Sequence, residues 1–273
     1  MFFLPSLVYA MAIILLPLIF LREFVFHELS LFVLFVVVIV LLFFVLILGP
    51  AIVLTRLGAK ECKSGEEKEI VDGLTSLIGM EKVKVMRVAS NEGRFFYLQG
   101  FFYPAVIVID EYFEKNLNRD EKKALLLNSI LRFKSMSARS RTLCSFVLII
   151  ISTPFLLFEK WQGKKKILNV LVHFLAYFYF PIFYLHRVVS RFFINMSTYD
   201  KKVSYYQAGP HSLISGLSKM SDTQMPKSFL ERCLVISSSV VYYKETTSFL
   251  NIINSQDLKK RVGQIEKEGH YGR

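Results

Sequence analysis

Asn128 and Arg132 stand four residues apart in Asp120-Glu121-Lys122-Lys123-Ala124-Leu125-Leu126-Leu127-Asn128-Ser129-Ile130-Leu131-Arg132, with Ser129 directly after the first. On a helix this spacing puts two side chains on one face, a turn apart. Two imidazoles at that spacing would reach a single Zn²⁺. An amide oxygen is a poor zinc ligand, and a guanidinium stays protonated and repels a cation. Such a turn suits a carboxylate or a peptide carbonyl instead. Asp200 is an acid with which Arg132 could simply pair.

Other catalytic chemistries find little purchase. The five histidines (His27, His173, His186, His211, His270) include no i, i+3 or i, i+4 pair, so structural hydrogen-bonded or interfacial roles are expected of them. Ser129 has no His or Lys base assigned by spacing. There is no G-x-S-x-G, no P-loop and no G-x-G-x-x-G. Cys62, Cys144 and Cys233 form no C-x-x-C pair and read as buried free thiols.

The turn bearing Asn128 needs a helix to carry it. Asn118 can cap that helix, and Glu121 three residues on completes a capping-box pattern. Asp120 to Lys134 then runs without Gly or Pro. Upstream, Glu61 to Ile78 has Ile70, Val71, Leu74, Leu77 and Ile78 at helical spacing. Lys82 to Val88 alternates as a half-buried strand, and Ser90 to Gly93 signals a turn. Phe95 to Phe102 and Ala105 to Ile109 read as strands, broken by Gly100 and Pro104. A charged helix is expected near the end, from Asp257 to Lys267.

Around these polar stretches the composition is strongly apolar: 53% of 273 residues, with 26 Phe and 13 Tyr. Met1 to Leu21 and Leu31 to Thr55 are uncharged, each reaching the roughly 20 residues that span hydrocarbon. The first lacks a basic n-region and an A-x-A-type site, so it reads as an anchor rather than a cleaved signal. Gly49-Pro50 should kink the second without stopping it. Leu143 to Phe158, short for a span, and Ile167 to Leu185 suggest a second hairpin. Its link carries Lys160, Lys164, Lys165 and Lys166, read as interfacial anchors or as a holder of lipid phosphates.

The net charge of +12 fits lipid headgroups; no nucleic-acid motif accompanies it. Lys and Arg near the span ends favour the side holding the polar segments, from Arg56 to Lys202, by ten to five. That excess predicts a polar domain and both termini in the cytoplasm, with the chain in the cell's inner or plasma membrane.

Several local stretches fall into a recognisable order. They are Val106 to Ile109, the Asp120–Arg132 stretch, Ser190-Arg191, Gly209-Pro210-His211-Ser212-Leu213-Ile214-Ser215-Gly216-Leu217-Ser218-Lys219-Met220, and Asp257-Leu258-Lys259-Lys260-Arg261-Val262. This order resembles that of the HtpX-like membrane zinc metallopeptidases. In that family the strand is an edge strand and the active-site helix reads d-E-x-x-A-V-L-A-H-E-L-G-H. An S-R precedes the third-ligand Glu, g-x-x-x-L-x-x-A-L-x-K-L follows, and P-L-x-x-R-I comes after an H-P. Ser255-Gln256 stand where the H-P would be.

The resemblance implies zinc, two histidine ligands, a glutamate base and a third carboxylate. Here Asn128 and Arg132 replace the histidines and Ser129 replaces the base. The third-ligand position falls on Ile194, Met196 or Ser197, depending on the anchor chosen, and no Glu occurs from Lys160 to Leu230. No zinc site and no cofactor are therefore expected.

The expected fold is an α-rich integral membrane protein: two transmembrane helical hairpins plus a small α+β zincin-like domain. Its parts would be residues 1–55 (first hairpin), 56–142 (with the degenerate helix at 119–134), 143–186 (second hairpin) and 187–273. The expected function is that of a pseudopeptidase, a scaffold in membrane protein quality control that binds or regulates a peptide or membrane-protein partner. Asn128, Arg132 and Asp200 would be its candidate cleft contacts. Two alternatives stay open: a hydrolase with an atypical site or a metal borrowed from a partner chain, and a small transporter or channel subunit. The spans carry almost nothing ionisable beyond His173, which weighs against an ion pathway.

Overall fold

A computed structural model describes residues 30–100, 103–135, 137–159, 197–205, 209–223 and 258–270, with isolated positions between 10 and 19 and between 231 and 241. The sheet has the order β1-β2-β4-β3, from β1 (Lys60–Glu61), β2 (Lys84–Val88), β3 (Phe95–Leu98) and β4 (Val106–Asp110). β2 and β4 are parallel, with Lys84 opposite Val106, while β3 and β4 are antiparallel, with Phe95 opposite Ile109. The alternation expected of Lys82 to Val88 holds through Met86, with Val83 and Val85 buried, and then breaks, since Arg87 is exposed and Val88 buried. β4 was expected at an edge, by resemblance, but lies inside the sheet between β2 and β3. Its Val-Ile-Val-Ile run explains the position, because a strand apolar on both faces needs cover on both.

Described helices are α1 (Leu31–Arg56), α2 (Glu66–Ile78), α3 (Glu111–Asn116), α4 (Arg119–Lys134), α5 (Ser137–Glu159), α6 (Ser197–Tyr205), α7 (Pro210–Ser221) and α8 (Leu258–His270). α2 starts later than the pattern suggests because Lys60 and Glu61 pair with β2 instead. Gly79, at φ 66°, ends it in the left-handed conformation that glycine tolerates best. α3 is too short to announce itself by periodicity. Asp110 caps it, with Oδ1 accepting from Phe113 N at 3.2 Å, while Oδ2 accepts from Gly93 N at 2.8 Å and Glu92 N at 3.0 Å. One carboxylate thus ties the turn before β3 to the end of β4.

α4 begins with the expected capping box: Asn118 Oδ1 accepts from Glu121 N, and Glu121 Oε2 accepts from Asn118 N, both at 2.9 Å. It is the central helix, packed against α2, α5, α6 and α7 and buried on nearly every side from Ala124 to Phe133. α8 packs on both α6 and α7. The stretches assigned to 56–142 and 187–273 therefore share one core around α4.

The membrane architecture is corrected by this arrangement. The described residues form a mixed α/β fold on a four-stranded sheet, and no single described helix is long and apolar enough to cross a membrane. The apolar run of α1 is divided into Leu31–Phe44 and Ile47–Arg56, bent by 51°. Pro50 supplies the physical cause, since it cannot donate to the carbonyl four residues back, at position 46, inside the break. In α5 the run from Leu143 is preceded by Ser140, Arg141 and Thr142, and all of these are buried against protein. Apolar side chains here cover a core, as Phe146 does. Apart from isolated positions of the first, the runs Met1–Leu21 and Ile167–Leu185 lie outside the described residues, as do Lys160, Lys164, Lys165 and Lys166.

Candidate functional site

Three helices meet at Asp200, which Asn128 reaches from α4 and Arg261 from α8. Asn128 Nδ2 donates to Asp200 Oδ1 of α6 at 2.7 Å, and Asn128 Oδ1 accepts from Arg132 Nε at 2.8 Å. Arg261 of α8 grips the same carboxylate twice: Nε donates to Oδ2 and Nη2 to Oδ1, each at 2.6 Å. Asn128 and Arg132 are 0% exposed, Asp200 1% and Arg261 4%. Two-point guanidinium–carboxylate bonding is both strong and orienting, so Asp200 has little freedom left. The Arg132 guanidinium also lies over the Tyr199 ring, 4.5 Å from its centroid, and Tyr199 shares a 2.5 Å hydrogen bond with Ser135.

The helical spacing thus brings Asn128 and Arg132 together as expected, and Asp200 joins them. Asn128 is the link between Arg132 and Asp200. Ser129 faces a different duty: its hydroxyl donates to Leu125 O at 3.2 Å, and the residue is fully buried. The candidate cleft contacts are consequently inside the protein, engaged with one another.

Burial draws Arg132 down from its ordinary value to about 10, with Arg141 and Arg261 pulling the same way and Tyr97 and Asp200 opposing. The group still carries its charge at neutral pH. A zinc ion does not fit here. It would meet an amide and two guanidinium groups, and the one carboxylate present is held through both oxygens. Among the described residues no group of three His, Cys, Asp or Glu gathers as metal ligands. Family models and curated proteins give no match to this chain.

Arg261 is the site residue that sequence reasoning passed over. It lies in the charged stretch expected to be helical, Asp257 to Lys267, but nothing local says what it meets. Two other charged clusters also went unread. Lys122, buried on α4, donates to Glu66 and Glu67 of α2 at 2.8 Å each. Arg141, 1% exposed, donates to Tyr97 OH at 2.6 Å and to Ser239 O at 3.0 Å. Both tie helices to neighbouring elements.

A third cluster gives a pH dependence. Glu121 accepts from Ser215 at 2.5 Å and from Lys219 at 2.9 Å, clamping α7 to the start of α4. Burial pushes its carboxyl up, but the bonds from Ser215, Lys219 and the Asn118 backbone outweigh this and hold it below its usual range. A depressed carboxylate contributes stability that is whole above its unfolded value and is lost as pH falls through its folded value. Urea midpoints of the parent should therefore fall as the pH drops below the usual carboxylate range. Glu121→Gln should show a lower midpoint at neutral pH and a shallower fall in that acid window. Equal slopes for the two would contradict the assignment.

Proposed function

We propose that this chain is a catalytically inactive, HtpX-like metallopeptidase scaffold that binds or regulates a protein partner without cutting it. One observation carries the reading. At the helical turn where the resemblance calls for a metal, Asn128 and Arg132 close onto Asp200, and Arg261 seals the carboxylate from the other side. A cation is replaced by fixed protein charges that do the same mechanical job, joining α4 to its neighbours. The reading is supported further by the way the resembling stretches assemble. Those around Asp120–Arg132, Gly209–Met220 and Leu258–Val262 are distant in the chain, yet they pack around one core with Asp200 between them.

The burial of Asn128 and Arg132 moves partner recognition off these side chains and onto the surface that their network keeps in shape. No observation favours an atypical hydrolase, because the Ser129 hydroxyl is directed at a backbone carbonyl. The test is elemental analysis of the purified full-length chain, with a casein-cleavage assay run with and without chelator. Background zinc and no chelator-sensitive cleavage are expected. One zinc per chain, or cleavage that a chelator abolishes, would overturn the proposal.

A further inference from the structure

We infer that the groove between the second arm of α1 and α5 is a binding site for a single-chain anionic lipid, with the acyl chain inside and the acidic head on Arg56. The groove holds a cavity of about 360 Å³, walled by Phe44, Leu48 and Ile52 of α1 and by Phe146 and Ile149 of α5. This is the lower part of the roughly 300–1,000 Å³ range of small-molecule sites. Gly49 lets the two helices meet so closely: a Cβ there would stand 2.7 Å from Phe146 Cζ. The ring and the helix backbone thus shape the cavity as a fixed wall.

The chemistry of the lining selects the occupant. Every wall residue is apolar except Arg56, the last residue of α1. Water is a poor filler, since an ordered water needs two to four polar partners. Arg56 is exposed, and among the described residues its side chain makes no hydrogen bond or ion pair. No acidic residue lines the groove to neutralise it. A ligand that complements both features is apolar along its length and anionic at one end. A fatty acid meets this description, and so does a single-chain phospholipid with a terminal phosphate. They share the same chain and the same need for a guanidinium.

The groove uses different helices from the Asp200 network, so its test is independent of the peptidase-like reading. Delipidated full-length protein is titrated with cis-parinaric acid, followed by fluorescence, and the probe is then displaced with palmitate, palmitoyl lysophosphatidate or hexadecanol. Palmitate and lysophosphatidate should compete, and the better of the two identifies the head that is preferred. Hexadecanol should be about tenfold weaker or worse, because it forfeits a charge-assisted bond. Arg56→Gln should erase that difference. Ile52→Trp, at a position 58% exposed and hence tolerant of the change, should fill the groove and weaken all three by about tenfold or more. Circular dichroism of both variants checks that the fold is kept. Hexadecanol matching palmitate in the parent, or no response to Ile52→Trp, would refute the site.

Discussion

Asp200→Ala is expected to destabilise the protein by about 3–5 kcal/mol, the range found when one partner of a buried ion pair is deleted. The carboxylate is 1% exposed and accepts hydrogen bonds that include one from Asn128 and two from Arg261. Its loss strands the buried guanidinium of Arg261 without its bidentate partner and leaves the Asn128 amide short of an acceptor. The penalty is therefore mostly the cost of leaving the others buried, more than the net worth of the pair itself. That distinction is measurable. Asp200→Leu combined with Arg261→Met removes both charges, and apolar replacement of a buried pair is often neutral or better. The double variant should recover most of the loss seen in the single one. Urea unfolding of the parent, both single variants and the double closes the cycle. A loss under about 1 kcal/mol for Asp200→Ala would mean that the network does not hold the three helices together.

How far these features were readable from the chain depended on how local their physics is. The capping box of α4 lies within four residues, Asn118 to Glu121, and is present as its spacing implied. The alternation from Lys82 to Met86 is likewise local, although it lapses at Arg87 and Val88. Asn128 and Arg132 sit one turn apart by helix geometry alone, so their shared face followed from their numbers, whereas the bond between them did not. The partner on the far side of Asp200 did not, because Arg261 lies 61 residues away and only the packing of α8 on α6 brings it in. The membrane architecture failed for a different reason. Apolar runs have the same composition whether they face lipid or a protein core. Only three-dimensional features separate the cases: on α5 the burial of Arg141 with Phe146 and Val147 shows a run packed on protein, whereas the run of α1 is bent by 51° and leaves side chains such as Phe32 and Phe44 exposed. The interior position of β4 was misjudged by analogy, although its unbroken apolar run already argued for it.

A gain of metal binding provides the sharpest test of what Arg261 does. Installing Asn128→His, Ser129→Glu and Arg132→His together should leave the protein without stoichiometric zinc. The two imidazoles would then lie on one helix face, but a stable protein site wants at least a third ligand. Asp200 is the carboxylate already within hydrogen-bond reach of position 128, at 2.7 Å from the Asn128 amide. Arg261 holds both of its oxygens and places a fixed positive charge beside any incoming cation. Adding Arg261→Met should release Asp200 and remove that charge, completing a two-histidine, one-carboxylate set. The fourfold variant is expected to hold close to one zinc per chain by elemental analysis. At a hundredfold excess over its dissociation constant, the metal should stabilise the fold by about 2.7 kcal/mol, reversibly with a chelator. Zinc at background in the fourfold variant would show that Asp200 is not oriented toward a shared ion. Zinc already bound by the threefold variant would show that Arg261 does not keep the carboxylate from a metal.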